Sequence, residues 1–257
     1  MFKKLKNIAR GLFPWIYLKL GKIKRKVIIK KFIKNYPDTR VFEIGKDGFD
    51  KLYSQEGQDY IVFTNFFRDK TDGVFCDIGG NHPLKYNNTR YFEENGWSGY
   101  VFEPLPYMKE LWEKERKAKL YPCALSDSEG QVTFTVVKDK LGSEDMFSFV
   151  KETGELNRDY EMEDILVQTR TLNNVFSEEG VSHIDYMSID VEGHELNVLK
   201  GIDFSKLNID VLTIENNPSC CQVYGDENIR QIMLNNGYVL WGRIVGLDDI
   251  YVKNMFL

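Results

Sequence analysis

Acidic side chains stand at or beside the ends of short apolar segments in this chain. Asp77 lies in the apolar run at residues 74–78, which leads into two glycines, and Glu103 ends a second apolar run at 99–103. A strand, a tight glycine turn and a helix form the ligand crevice of an open α/β sheet. A carboxylate at the end of the second strand can accept hydrogen bonds from both hydroxyls of a ribose. This pair predicts a nucleoside-containing ligand.

The residues of the glycine turn narrow the choice of ligand. Dinucleotide sites keep three positions small so that the backbone can approach a pyrophosphate. Here Gly79 is followed two places on by Asn81, and Leu84 stands where the third glycine is expected. Asp77 would also repel a phosphate. These features disfavour a nucleotide-dependent oxidoreductase. A cationic ligand without phosphate fits better, and S-adenosylmethionine, with its sulfonium and ammonium groups, is such a ligand.

A second acidic group follows the apolar segment that ends at Asp190. Asp190, Glu192 and His194 are the candidate catalytic residues, because each can accept the proton of an acceptor hydroxyl. Alternatively, a pair of these acids can hold a divalent cation. A structural role is the competing interpretation, since Glu192 and Glu195 can stabilise a helix N-terminus. Glu195, together with Glu215 and Asn216 at the neighbouring strand end, is a candidate substrate-binding residue.

Strand-like and helix-like segments alternate along the chain, which predicts an α/β fold with a mostly parallel sheet. The predicted strands are residues 74–78, 99–103, 120–125, 132–137, 165–171, 184–190, 209–214, 238–241 and 249–252. Residues 138–164 are polar and are expected to form an insertion or lid over the site.

Charge is distributed unevenly between the first residues and the rest of the chain. Residues 1–34 contain twelve Lys and Arg and no acid, so the remainder holds 22 basic and 39 acidic residues. A body this acidic argues against a nucleic-acid partner. The aromatic-rich basic segment at 1–35 is expected to lie on an anionic membrane surface, to pack on the acidic body, or to join a partner complex.

The four cysteines show no metal-binding spacing, and we interpret them as reduced thiols of a cytoplasmic protein. They are Cys76, Cys123, Cys220 and Cys221. No segment approaches the ~18 apolar residues of a membrane span. The expected location is therefore the cytoplasm, at the membrane surface if the basic segment binds lipid.

Several stretches together resemble the FkbM family of S-adenosylmethionine-dependent methyltransferases. They are Tyr-Ser-Gln-Glu-Gly-Gln-Asp at 53–59, Phe-Cys-Asp-Ile-Gly-Gly-Asn-His-Pro at 75–83, Asn-Asn-Thr at 87–89, Gly-Trp-Ser-Gly-Tyr-Val-Phe-Glu-Pro at 96–104 and Ile-Asp-Val-Glu-Gly-His-Glu at 189–195. The resemblance covers residues 52–253. It implies a Rossmann-like class I methyltransferase fold at 36–257: a seven-stranded, mostly parallel sheet with helices on both faces and an antiparallel last strand.

The resemblance also implies roles for individual residues. The methionine half of the cofactor would be bordered by Asp77, Gly79 and Asn81, the ribose would be held by Glu103 and the adenine by Asp127, and Gln55 and Glu56 would close over the cofactor. The Ser-Asp-Ser sequence around Asp127 is equally typical of a turn.

The implied activity is O-methylation, with a sugar hydroxyl of a glycan, polysaccharide or glycolipid precursor as acceptor. The alternative is a non-catalytic scaffold of the same fold, recruited to membranes or partners by its basic N-terminus. A non-catalytic scaffold has no need of four carboxylates around one crevice, and this argues against that alternative. The four are Asp77, Glu103, Asp190 and Glu192.

Overall fold

The computed structural model describes residues 29–42, 53–138, 144–153, 160–216, 226–245 and 247–256, which form two β-sheets and the helices that connect their strands. The strands are β1 Arg40–Phe42, β2 Val74–Ile78, β3 Ser98–Phe102, β4 Lys119–Tyr121, β5 Ala124–Leu125, β6 Gly130–Lys138, β7 Phe149–Val150, β8 Glu161–Arg170, β9 His183–Ile189, β10 Asn208–Glu215, β11 Tyr238–Ile244 and β12 Asp248–Lys253.

The larger sheet confirms the predicted α/β class with a mostly parallel sheet. Its strand order is β1-β11-β12-β10-β9-β2-β3-β4, and β12 is antiparallel to both of its neighbours while the other neighbouring pairs are parallel. The expected number of seven strands is wrong, because the sheet has eight. The additional strand is β1, which pairs with β11 and stacks Phe42 on Trp241. Three residues are too few to show a strand periodicity in the sequence.

Helices join most successive strands of the larger sheet, and two hydrophobic clusters line that sheet. The α-helices are residues 29–35, Gln58–Val62 (continued as a π-helix over Phe63–Phe67), Arg90–Glu94, Met108–Glu115, Leu172–Glu179, Glu195–Lys200 and Glu227–Asn235. In β2, Cys76 and Ile78 belong to one cluster and Phe75 to the other. This division follows the alternation of side chains along a strand. Each cluster also contains helical residues, so helices cover both faces of the sheet.

The smaller sheet, in the order β5-β8-β6-β7, corrects the predicted strand at 120–125. That segment divides at Pro122, with β4 before it in the larger sheet and β5 after it in the smaller one. Proline has no N–H to donate to a continuing ladder. The expected insertion at 138–164 is partly described: it contains the ends of the β6–β8 pair, a 3₁₀-helix at Glu144–Phe147 and β7.

Two sequence expectations fall largely outside the described residues. The basic segment is described only from residue 29, where a helical stretch buries Phe32 in the core, and the possible membrane contact of residues 1–28 lies outside it. Cys220 and Cys221 also lie outside it, whereas Cys76 and Cys123 are buried free thiols. Within the described residues, no helix has both the length and the apolarity needed to cross a bilayer.

A buried ion network fixes β12 beside the end of β10. The carboxylate of Asp249 accepts hydrogen bonds from Arg230 Nε at 2.9 Å, Arg243 Nη1 at 2.5 Å, Asn216 Nδ2 at 2.7 Å and Tyr251 Oη at 3.1 Å. Arg243 also donates to the backbone oxygen of Asn216 at 3.1 Å. These contacts tie β11, β12 and the helix Glu227–Asn235 to the residue that follows β10.

Replacing Asp249 by alanine leaves two buried guanidinium groups without their shared carboxylate. We expect Asp249→Ala to lower the free energy of unfolding by about 3–5 kcal/mol, the usual cost of removing one partner of a buried ion pair. Urea denaturation measures this change. Glu163→Ala, which removes a surface partner of Lys138, is the control and should leave the midpoint nearly unchanged. Equal effects of the two variants would contradict the assigned role of the network.

Candidate active site

Two adjoining cavities open where the carboxyl ends of the central parallel strands meet. The first is a narrow, mostly apolar slot beyond the ends of β2 and β3. The second is a wider polar cavity of about 300 Å³ beside the ends of β2, β9 and β10. Residues that line both are Gly79, Asn81, Met146, Asp190 and Glu192. Crevices at the strand ends of open α/β sheets are the usual ligand sites of this fold class.

The turn after β2 brings its backbone against the loop after β9. Gly79 has φ +86°, and a Cβ built there would lie 1.8 Å from the backbone oxygen of Asp190. Only glycine fits such a contact, since a positive φ and the absence of a side chain are both required. Asn81 follows with φ +39°. The turn therefore leaves the backbone open to the space that both cavities share.

Asp77 is buried beneath this turn and is held by the loop that follows it. Its Oδ2 accepts hydrogen bonds from Thr89 Oγ1 at 2.7 Å and Asn87 Nδ2 at 3.1 Å. Burial raises the pKa of Asp77, and these hydrogen bonds together with the charge of Arg116 oppose that effect. Asp77 lines the polar cavity, as expected of a residue that borders the methionine half of a cofactor.

Glu103 is buried at the end of β3 and lines the apolar slot. Its two carboxylate oxygens accept hydrogen bonds from the backbone N–H groups of Asn81 and Leu105, each at 2.7 Å. Burial nevertheless raises its pKa to about 7. The backbone donors fix both oxygens in position, and each oxygen keeps a further lone pair for another donor.

The apolar lining of the slot suits a planar aromatic ring. Its apolar walls include Phe102, Leu105, Cys123, Leu125 and Val150. Asp127, the residue expected to contact adenine, is not among the lining residues. It is exposed in the turn after β5, where Ser128 Oγ donates to its carboxylate at 3.1 Å.

Three acids from two strand ends converge on the polar cavity. Asp190, Glu192 and Glu215 each place a carboxylate oxygen within 4.8 Å of the others, a spacing that suits a shared cation. Burial, and then the charges of neighbouring acids, raise the pKa of Asp190 and of Glu215 well above the ordinary range. Glu192 adopts φ +52° between Val191 and Gly193. A positively charged or hydrogen-bond-donating ligand would relieve this repulsion.

His194 and Glu195 point away from the polar cavity. The hydroxyls of Ser126 and Thr153 lie 3.0 and 2.7 Å from the two ring nitrogens of His194, which is buried beside the apolar slot. Burial lowers the pKa of His194, so the imidazole is neutral near pH 7. Glu195 accepts hydrogen bonds from the N–H groups of Val191 and Gly193 at 3.2 and 3.1 Å. Both residues therefore brace the loop that carries Asp190 and Glu192.

The remaining candidates occupy different positions around the site. Gln55 is exposed and lines the polar cavity, whereas Glu56 is half-buried and donates its backbone N–H to Gln58 Oε1 at 3.0 Å. Asn216 is buried in the Asp249 network. Of the three expected substrate-binding residues, Glu215 lines the polar cavity, while Glu195 and Asn216 do not.

Three further residues line the polar cavity, and the sequence analysis assigned them no role in a site: Gln58, Asn88 and Asp248. Gln58 Nε2 donates to Asp248 Oδ2 at 2.6 Å, and burial raises the pKa of Asp248 to about 6. Asn88 Nδ2 donates to Ser188 Oγ at 2.9 Å. The Asn-Asn-Thr stretch at 87–89 was a usable signal, since it matches the family pattern. Gln58 and Asp248 are 190 residues apart, and no sequence pattern relates them.

Gly79→Ala should disrupt this edge far more than a matched substitution elsewhere. Gly180 also has a positive φ, +68°, but a Cβ there would meet nothing within 4 Å. We expect Gly180→Ala to lower the free energy of unfolding by about 1–2 kcal/mol, the cost of the left-handed backbone alone. Gly79→Ala carries that cost and the clash with Asp190, so its loss should be larger by about 2 kcal/mol or more. Equal losses in urea denaturation would argue against the tight turn.

Comparison with known proteins agrees with this geometry. The family model described as the methyltransferase FkbM domain matches residues 77–240, from Asp77 in β2 to Leu240 in β11. The search of curated proteins and the search of solved structures each gave no match. The family match covers more than half of the chain and includes the ends of β2, β3, β9 and β10. The chain therefore belongs to the FkbM methyltransferase family.

Proposed function

We propose that this chain transfers the methyl group of S-adenosylmethionine to a hydroxyl oxygen of a sugar in a glycan, polysaccharide or glycolipid precursor. One observation carries the proposal: an apolar slot lined by the buried carboxylate of Glu103 adjoins a second cavity, which is lined by several carboxylates. The first cavity suits a nucleoside, and the second suits a ligand rich in hydrogen-bond donors. The basic segment at 1–34 would keep the enzyme near acceptors at the cytoplasmic face of a membrane.

The residues around the slot fit the parts of this cofactor. The apolar side chains of Leu105 and Val150 suit the adenine ring, and Glu103 suits the ribose hydroxyls because its oxygens are held by two backbone N–H groups. The open backbone at Gly79 and the buried acid Asp77 suit the cationic methionine half. When bound there, the cofactor supplies an electrophilic methyl group.

The acids of the polar cavity perform the rest of the proposed reaction. A sugar hydroxyl is a weak nucleophile at neutral pH, and a carboxylate that accepts its proton makes the oxygen more reactive. Asp190 lies where the two cavities join, and its raised pKa makes it a stronger base than an ordinary aspartate. Glu192 and Glu215 then orient the acceptor by accepting hydrogen bonds from its other hydroxyls. Positioning of this kind supplies a large part of the rate in group transfer.

The same three acids are also spaced to hold a divalent cation against two sugar oxygens. The two roles differ in their response to chelation. Turnover that persists after EDTA treatment identifies Asp190 as a proton acceptor acting without metal. Turnover that is lost and then restored by Mg²⁺ identifies the three acids as metal ligands.

The pH dependence of cofactor binding should report the ionisation of Glu103. Its pKa of about 7 in the free protein must fall when ribose hydroxyls donate to the ionised carboxylate, so binding favours the deprotonated form. We expect the affinity for S-adenosylhomocysteine to decrease by up to about tenfold per pH unit below pH 7. Calorimetric titration between pH 5.5 and 8.5 measures this.

Glu103→Gln is the matched control for that titration, because it keeps the shape of the side chain and removes the charge. The variant should bind more weakly at pH 8 and should lack the component of the pH profile that belongs to Glu103. The amino group of the ligand titrates identically in both proteins. Parallel profiles for wild type and variant would exclude Glu103 from ribose binding.

Asp190→Asn should separate catalysis from cofactor binding. The amide preserves the size of the side chain but cannot accept the acceptor's proton, so we expect turnover to fall by about 10²-fold or more. Affinity for S-adenosylhomocysteine should stay within about threefold of wild type. Methyl transfer is followed with labelled cofactor on a library of glycosides. Near-normal turnover would remove Asp190 from the mechanism.

A further inference from the structure

An exposed tyrosine lies at the rim of the polar cavity in an unfavourable backbone conformation. Tyr86 lines this cavity, and 56% of its surface is exposed. Its φ of +51° lies in the left-handed region, which a bulky side chain rarely adopts. Strain of this kind persists only where the surroundings impose it, and it is concentrated at binding sites. A large ring that gains little from burial in the core is therefore held at the cavity by its backbone.

The surroundings that impose this conformation are well defined. The backbone of Tyr86 forms an isolated β-bridge with Ser54, and Ser54 Oγ donates to the fully buried carboxylate of Asp59 at 2.5 Å. On the other side, the backbone N–H of Lys85 donates to His82 Nδ1 at 3.2 Å. The following residue, Asn87, donates to Asp77. The position of Tyr86 is thus fixed from both sides. The link through Asn87 reaches Asp77, which is buried beneath the glycine turn after β2.

The wall of the cavity defines the chemistry of a ligand that would contact this ring. Five acids line it: Asp77, Asp190, Glu192, Glu215 and Asp248. Carboxylates accept hydrogen bonds and donate none when ionised, so they suit a ligand with several hydroxyl donors. Lys85 adds one positive charge at the rim, which does not balance five acids. A ligand with its own carboxylate would be repelled, whereas a neutral polyhydroxylated ring would be accepted.

We propose that Tyr86 is the platform on which a neutral pyranose ring of the acceptor stacks, with the hydroxyls of that ring directed to the carboxylates of the cavity. One face of a pyranose presents C–H groups, and burying that face against an aromatic ring removes apolar surface from water. This inference rests on the proposed function for the identity of the reaction. Tyr86 acts as a specificity determinant and does not take part in the chemical step.

Binding is tested directly by saturation-transfer NMR on the full chain with saturating S-adenosylhomocysteine. The probes are methyl glycosides of neutral hexopyranoses, with the matching methyl uronates as charged probes. We expect saturation of the C–H protons of at least one neutral glycoside and none of the uronates. Tyr86→Ala should lower the affinity for that glycoside by about tenfold. Tyr86→Phe should keep the wild-type affinity, because the aromatic ring is kept.

A matched control and a second readout separate stacking from misfolding. Tyr60→Ala removes another exposed tyrosine, one that does not line the cavities, and should leave glycoside binding unchanged. Glycine tolerates a positive φ, so the melting temperature of Tyr86→Gly should equal or exceed that of Tyr86→Ala. Both variants should bind the glycoside equally poorly. Circular dichroism measures both melting temperatures.

The outcomes distinguish this inference from the proposed function. Cofactor binding by the wild type without saturation of any neutral glycoside, or equal binding by Tyr86→Ala, would overturn the platform and leave the methyltransferase proposal standing. Preferential saturation of the uronates would also overturn it. Glycoside binding that depends on Tyr86 in a protein that does not bind S-adenosylhomocysteine would support the platform and contradict the proposed cofactor.

Discussion

Electrostatic repulsion among acids gathered at one edge of the sheet is the constraint on which the site depends. Parallel strands bring Asp77, Glu103, Asp190 and Glu215 to the same edge, and burial raises the pKa of each. Keeping such groups charged and close together is unfavourable unless donors or cations compensate them. The turns and loops of this edge are arranged to supply those donors.

Different donors compensate the negative charge of these acids around the edge, and each donor also fixes the position of the acid that it contacts. Backbone N–H groups hold Glu103 and Glu195, so the turn after β2 and the loop after β9 take defined shapes. Hydroxyl and amide donors hold Asp77, and two guanidinium groups hold Asp249. Asp190, Glu192 and Glu215 remain grouped within 4.8 Å at the cavity. In the proposed reaction, that group receives the donor-rich acceptor.

The sequence predicts the parts of this edge that depend on local pattern. Short apolar runs that end in an acid or a glycine turn predict β2 and β3 to within one residue, and the site lies at their ends. Pro122 divides a predicted strand between two sheets, and β1 is too short to be recognised. These differences arise because pairing partners far along the chain decide where a short strand belongs.

The direction in which a side chain points is a second property that the sequence does not predict. His194 is itself a predicted catalytic residue and Glu195 a predicted substrate-binding residue, yet their side chains turn inward. His194 contacts Ser126 and Thr153, and Glu195 accepts hydrogen bonds from the loop backbone. Asp127 stays in an exposed turn. Conversely, Gln58 and Asp248 meet at the cavity across 190 residues of sequence. Contacts of this kind depend on the tertiary fold, so spacing along the chain cannot predict them.

We propose that the crevice at the ends of β2 and β3 binds a phosphate-free, cationic nucleoside. The most direct measurement is a calorimetric titration of the wild-type protein with S-adenosylmethionine, S-adenosylhomocysteine and NADH under identical conditions. We predict dissociation constants in the micromolar range for the first two ligands and no binding of NADH. Failure of both adenosyl ligands to bind a protein that circular dichroism shows to be folded would contradict the account, as would preferential binding of NADH.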